Sequence, residues 1–167
     1  MEASKKVFVA MKRIVLTVVI RNRALDHCCP NFVGDDEQEM DNRLRELAAS
    51  QRDVDDAIKA LRNATEERFK DFSNEEILIL THLVNGIWSS ESCLCIESKN
   101  ILDIIGHNNA PEGGALVVSL LNRTSPIFRV VSMTWDGSRR GSGGYSLSIH
   151  DRRGLHNLFF GKVIAEA

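Results

Sequence analysis

The chain has 167 residues, 43% of them hydrophobic and 26% charged, which places it among ordinary globular proteins and outside the compositions that stay disordered. A formal net charge of −2 excludes a global attraction to nucleic acid or to anionic membranes. That total conceals segregation. Residues 1–26 carry six bases against two acids, and residues 35–56 carry nine acids against three bases. Residues 74–112 carry six acids against Lys99 alone, and residues 123–162 carry seven bases against Asp136 and Asp151. An acidic middle therefore separates two basic ends.

The basic N-terminal segment, 1–34, is open to several structures. Val7, Phe8, Met11, Ile14, Val15, Val18, Val19 and Leu25 keep a helical stripe, whereas VFV and IVLTVVI suit buried strands equally well. Its basic, acid-poor composition also fits a mitochondrial transit peptide. The run IVLTVVI at 14–20 is far too short for a membrane span, so no membrane partner is expected. Cys28, Cys29, Cys93 and Cys95 occur as an adjacent pair and a CxC pair, poor frameworks for disulfides. With no secretory signal in view, a reducing, intracellular compartment is expected, cytoplasmic or nuclear. His27 with these cysteines lacks the CxxC or HxxxH spacing of zinc sites, so they are expected as small buried hydrophobes, with no metal and no cofactor.

From Asp36 to Asp71 there is neither glycine nor proline, and a heptad repeat runs through the segment. Met40, Leu47, Val54 and Leu61 fall at d, and Leu44, Gln51, Ile58 and Thr65 at a. A repeat averaging 3.5 residues keeps the apolar stripe on one side of a long helix, as coiled-coil packing requires. Residues 35–72 are accordingly expected to form a long helix. Leu44, Leu47, Gln51, Val54, Ile58 and Leu61 would contact a second copy or a helical partner, the plainer alternative being packing on the chain's own domain.

Residues 73–167 form the third unit. SNEE at 73–76 is a capping box, with Ser73 and Glu76 serving each other's backbone, and a helix follows through Ile77, Leu80, Leu83 and Val84. CLCI (93–96) has strand character, Ser98 opens a short helix that stops at Gly106, and Pro111 opens a third running to about Arg123. After the break at Ser125–Pro126, IFRVVSMTW (127–135) and YSLSI (145–149) read as two strands joined by a glycine-rich tip, and the tail adds a last helix or strand. The tip, WDGSRRGSGGY, is no phosphate-binding loop, because a strand rather than a helix follows it and no lysine closes it.

This helix–strand–helix–helix–hairpin order, with GSRRGSGGYSLSI as the wing, resembles a winged-helix domain over residues 73–150. The wing is similar to those of bacterial repressors of the Rrf2 type, although the long preceding helix is no part of that pattern and no cluster-binding cysteines follow the hairpin. The resemblance implies a mainly α fold with a small β-hairpin, a long heptad helix leading into a winged helix. It also implies a non-catalytic, self-associating DNA-binding regulator or accessory factor. In it Arg139 and Arg140 would meet phosphates or a minor groove, with Arg123, Arg129, Arg152 and Arg153 as backbone contacts. The third helix is poor in base-reading side chains, offering Ser119, Asn122 and Arg123. The alternative is therefore an adaptor subunit that uses the winged helix and coiled coil on protein. Enzyme activity is not expected. IHDRRGLHN (149–157) only faintly matches an HNH nuclease and is expected to serve strand-end hydrogen bonding. Trp88 and Trp135 are expected as core anchors.

Overall fold

The fold is that of a computed structural model, which describes residues 2–27, 37–88, 95–106, 113–122, 124–136 and 144–161. It is mainly helical with one small antiparallel sheet. The first 26 described residues form a single helix, α1 (Glu2–His27), despite the β-branched run at its centre. Burial overrides propensity here. Val7, Met11, Ile14, Val18, Arg21 and Ala24 recur at three- and four-residue intervals and are all buried. The Thr17 hydroxyl is satisfied within the helix by the carbonyls of Arg13 and Ile14.

The second helix, α2 (Glu37–Ala64), packs antiparallel to α1 in the most extensive helix contact of the fold, through Ser50, Val54, Ala57, Ile58 and Leu61. It stops seven residues before Asp71, where the absence of glycine and proline had suggested continuation. The backbone of Glu66 (φ 49°) and Glu67 (φ 70°) turns left-handed, and Phe69 and Phe72 swing into the core with ring centroids 5.3 Å apart. Arg62 holds the turn by donating to the carbonyls of Phe69 (2.8 Å) and Phe72 (2.7 Å) and to Asn74 Oδ1. Burial of two phenylalanines outweighs the cost of the left-handed pair.

The capping box at the start of α3 (Asn74–Trp88) forms as expected. Glu76 Oε1 accepts from the Ser73 amide at 2.7 Å, and Ser73 Oγ accepts from the Glu76 amide at 3.2 Å. The other carboxylate oxygen of Glu76 accepts from Ser125, tying the helix start to the segment before the sheet. Residues Glu76 to Thr81 are buried without interruption, so this stretch of α3 is covered on every side and runs through the core. Strand β1 (Cys95–Glu97), α4 (Ser98–Ile105) and α5 (Gly113–Leu120) follow.

The expected strand at 127–135 begins only at Val131, because Pro126–Arg129 forms a 3-10 turn capped by Ser125. Strand β2 (Val131–Asp136) pairs with β3 (Gly144–Ile149), and β1 adds to the far side of β3, giving the order β1-β3-β2. Period-2 alternation sorts the faces. Val131, Met133, Leu147 and Ile149 pair on the core side, while the hydroxyls of Ser132 and Ser148, and of Thr134 and Ser146, pair on the other. The tail forms α6 (Arg152–Phe160), capped by Asp151, whose Oδ1 accepts from the Gly154 amide at 2.9 Å. A Cβ on Gly154 would lie 2.3 Å from the other Asp151 oxygen, so the cap requires glycine there. Leu155 and Phe159 of α6 are buried, and Phe159 stacks edge-on against Phe69 at 4.9 Å. One buried cluster runs from α1 to α6. No helix among the described residues is long and apolar enough to cross a membrane.

The seam between α1 and α4 is polar. Arg21, 1% exposed, donates from Nη2 to the carbonyls of Asp103 (3.0 Å) and Ile104 (2.7 Å), while Asn22 braces the guanidinium and also donates to Asp103. Gly106, at φ 88°, ends α4 where a Cβ would sit 3.1 Å from the guanidinium carbon. Burial pushes the Arg21 pKa down and the charge of Asp55 opposes it. Arginine stays protonated throughout.

Nearby on α3, His82 Nδ1 lies 2.7 Å from the Leu78 carbonyl, to which the neutral ring donates. Burial pushes the His82 pKa below the ordinary histidine value; the hydrogen bond to Leu78 works against this, and the Arg21 charge adds to it. The unfolded chain therefore takes up this proton first, so the stability His82 contributes is complete above about pH 6.5 and is lost as pH falls below it. Denaturant midpoints measured from pH 7.5 downward should fall more steeply for the wild type than for His82→Asn. Arg21→Met, which strands the α4 carbonyls, should cost about 1–3 kcal/mol in the same assay at neutral pH.

Candidate interaction surfaces

The heptad seam of α2 divides near Ser50. Val54, Ile58 and Leu61 are 0–1% exposed, and α1 of the same chain covers them. They are therefore core residues rather than a surface offered to a partner. A helix joined by a short connection meets its neighbour at far higher effective concentration than any second chain can. N-terminal to Ser50 the seam is open. Leu44 is 50% exposed, Leu47 is half-buried, and Gln51 is exposed with its amide donating to Asp55.

Three of the candidate phosphate contacts are placed near the base of the hairpin. Arg129 lies at its base on the 3-10 turn, and Arg152 and Arg153 open α6; all three are exposed. The base is closed by the Val130 carbonyl, which accepts from the amides of His150 (3.0 Å) and Asp151 (3.2 Å), and by His150 Nε2, 3.1 Å from the Phe128 carbonyl. Arg139 and Arg140 fall in sequence between the last paired residues, Asp136 and Gly144. Those two arginines and Arg123 lie outside the described residues.

Helix α5, where base-reading side chains were sought, presents apolar ones instead. Val117 and Leu121 are buried, and Val118, Ser119 and Leu120 face outward, the two hydrophobic ones 37% exposed. Asn122 is engaged locally, its Oδ1 accepting from the amide and hydroxyl of Thr124 at 3.0 and 2.7 Å.

Other candidate chemistry resolves into structural roles or falls outside the described residues. His150 and Asp151 close the hairpin base and cap α6, and His156 packs its ring 4.9 Å from Phe160. Cys28, Cys29 and Cys93 lie outside the described residues, as do the side chains of Cys95, Trp88 and Trp135. Among the described residues no group of three His, Cys, Asp or Glu side chains is placed to hold a metal ion.

One surface has no counterpart among the expected contacts. Phe8 and Val19, assigned by periodicity to the core stripe of α1, point outward at 43% exposure, together with Val9 (64%), Leu16 (59%) and Ile20 (45%). Spacings of seven and four connect Val9, Leu16 and Ile20, so a second helical stripe was present in the sequence beside the first. Next to it, the N-terminal turns of α1 and the C-terminal turns of α2 enclose an open groove of about 580 Å³, floored by Val9, Ala60 and Ala64 and rimmed by Lys5, Lys6 and Asn63.

No protein-family model, curated protein or solved structure matches the chain.

Ile58→Glu should unfold the chain, because an unpaired carboxylate would replace a core side chain. Leu44→Glu should leave the denaturation midpoint within about 0.5 kcal/mol of wild type. Light scattering alongside the denaturation curves separates loss of fold from loss of a partner.

Proposed function

We propose that this chain is a non-catalytic winged-helix assembly module that recognises another protein through α5. Support for a winged helix comes from the order α3–β1–α4–α5–β2–β3 and from the closing of β1 onto the hairpin in the sheet order β1-β3-β2. The observation that carries the protein-binding role is the exposed arc of α5, with Val118 and Leu120 on either side of Ser119, while Asn122 Oδ1 is taken up by Thr124. Among its described side chains this arc is poor in the paired donors and acceptors that read base edges. Its two exposed aliphatic side chains suit a contact with another protein.

The second function is DNA binding as a regulator or accessory factor, favoured by the hairpin, whose register holds to Asp136↔Gly144 and whose connection carries Arg139 and Arg140. The two functions separate in a fluorescence-anisotropy titration of random-sequence duplex DNA at low and high salt, with light scattering on the same sample. The assembly module gives no salt-sensitive binding, and Arg139→Ala with Arg140→Ala changes nothing. Val118→Glu with Leu120→Glu lowers the uptake of an apolar reporter dye while shifting stability by no more than about 0.5 kcal/mol. Salt-sensitive binding whose slope becomes shallower by roughly one to two in the double arginine variant would establish DNA binding in its place.

A further inference from the structure

We infer that the outer face of α1, with the groove it forms against α2, is a docking site for an acid-flanked amphipathic helix of another protein. The stripe from Val9 to Ile20 covers three helical turns, about 17 Å, and exposes on the order of 400 Å² of apolar surface, the size of the largest and usually functional patches on monomers. Val9 lines the groove and opens the stripe, which the exposed Arg13, one turn on, interrupts before Leu16. The small side chains of Ala60 and Ala64 leave a slot into which apolar side chains at helical spacing fit.

The rim supplies the sign of the partner. Lys5 and Lys6 border the slot and make no hydrogen bond or ion pair among the described residues; Glu2 is the one acid in the lining. Lys12 is turned aside: its Nζ donates to Asn85 Oδ1 at 2.8 Å and lies 5.4 Å from the centroid of the Phe8 ring. Leu16 is thereby left uncovered, 59% exposed. Carboxylates flanking a partner's apolar stripe would meet Lys5 and Lys6, which favours the right partner and speeds its encounter.

Two other occupants fit less well. A second copy laying its own α1 antiparallel on this face sets Lys5 against Arg23, and a parallel one sets Lys5 against Lys5. An anionic bilayer is flat and cannot enter the slot that Ala60 and Ala64 leave between the helices.

The test uses the full chain and two labelled synthetic helices of three heptads with leucine at the core positions, one flanked by glutamates and one by lysines. The glutamate helix should bind roughly tenfold more tightly, and high salt should weaken it. Lys5→Glu with Lys6→Glu should reverse the preference. Leu16→Asp should abolish binding of both helices without changing the circular dichroism, since Leu16 is outside the core. Val118→Glu with Leu120→Glu should leave binding intact, so this site and the α5 site fail independently. The inference is overturned if neither helix binds or if both bind equally. It is overturned equally by a dimer in light scattering that Leu16→Asp halves, or by phosphatidylserine vesicles binding through Leu16 and Lys5 while the glutamate helix does not.

Discussion

A guanidinium buried between two helices sets the geometry on which the rest of the chain depends. Arg21 joins α1 to residues more than eighty positions away, at the end of α4, and does so by giving the last carbonyls of that helix the donors they lack. Taking a charge out of water is costly unless hydrogen bonds and opposite charge compensate it. Here the compensation comes from two carbonyls, the Asn22 side chain, the negative end of the α4 dipole and, at longer range, Asp55. Gly106 makes the approach possible. The same device recurs at the other seams: Arg68 donates to the carbonyls of Leu158 and Phe159 at the end of α6, and Arg62 to the turn after α2. Three arginines thus satisfy helix and turn ends that apolar packing alone would leave exposed.

What was legible in the sequence was local. The capping box at Ser73 and Glu76, the glycine stop at Gly106 and the alternation of YSLSI each depend on residues within one or two turns, and each formed as expected. The misread boundaries depend on distant partners. Nothing between Ala64 and Asp71 breaks a helix by itself; the helix ends because Phe69 packs against Phe159, ninety residues on. The strand at 127–135 starts late because Ser125 caps a turn and is held by Glu76 of α3. The ambiguity of residues 5–26 had the same origin, since a β-branched run becomes helical only when a neighbour covers it.

The candidate site was legible in residue type more than in placement. Heptad spacing marked a real contact stripe on α2, but could not say that α1 of the same chain would cover it. Since α1 covers only the seam beyond Ser50, the large apolar side chains that stay exposed are Leu44 on α2, those on the outer side of α1, and Val118 and Leu120 on α5. The split in charge along the chain follows the same division: the basic end of the sequence becomes the rim of the α1–α2 groove.

The order β1-β3-β2 also bears on how the chain reaches this state. The hairpin closes between Asp136 and Gly144, eight positions apart, whereas β1 meets β3 at a separation of at least 49, between Glu97 and Ser146. Closing the longer loop costs about 1.6 kcal/mol more in chain entropy, and three residue pairs are a small return on it. The third strand therefore gains least by pairing before the hairpin has formed its edge. Because β1 runs directly into α4, pairing the strand and placing that helix end on the guanidinium of Arg21 are coupled through the chain.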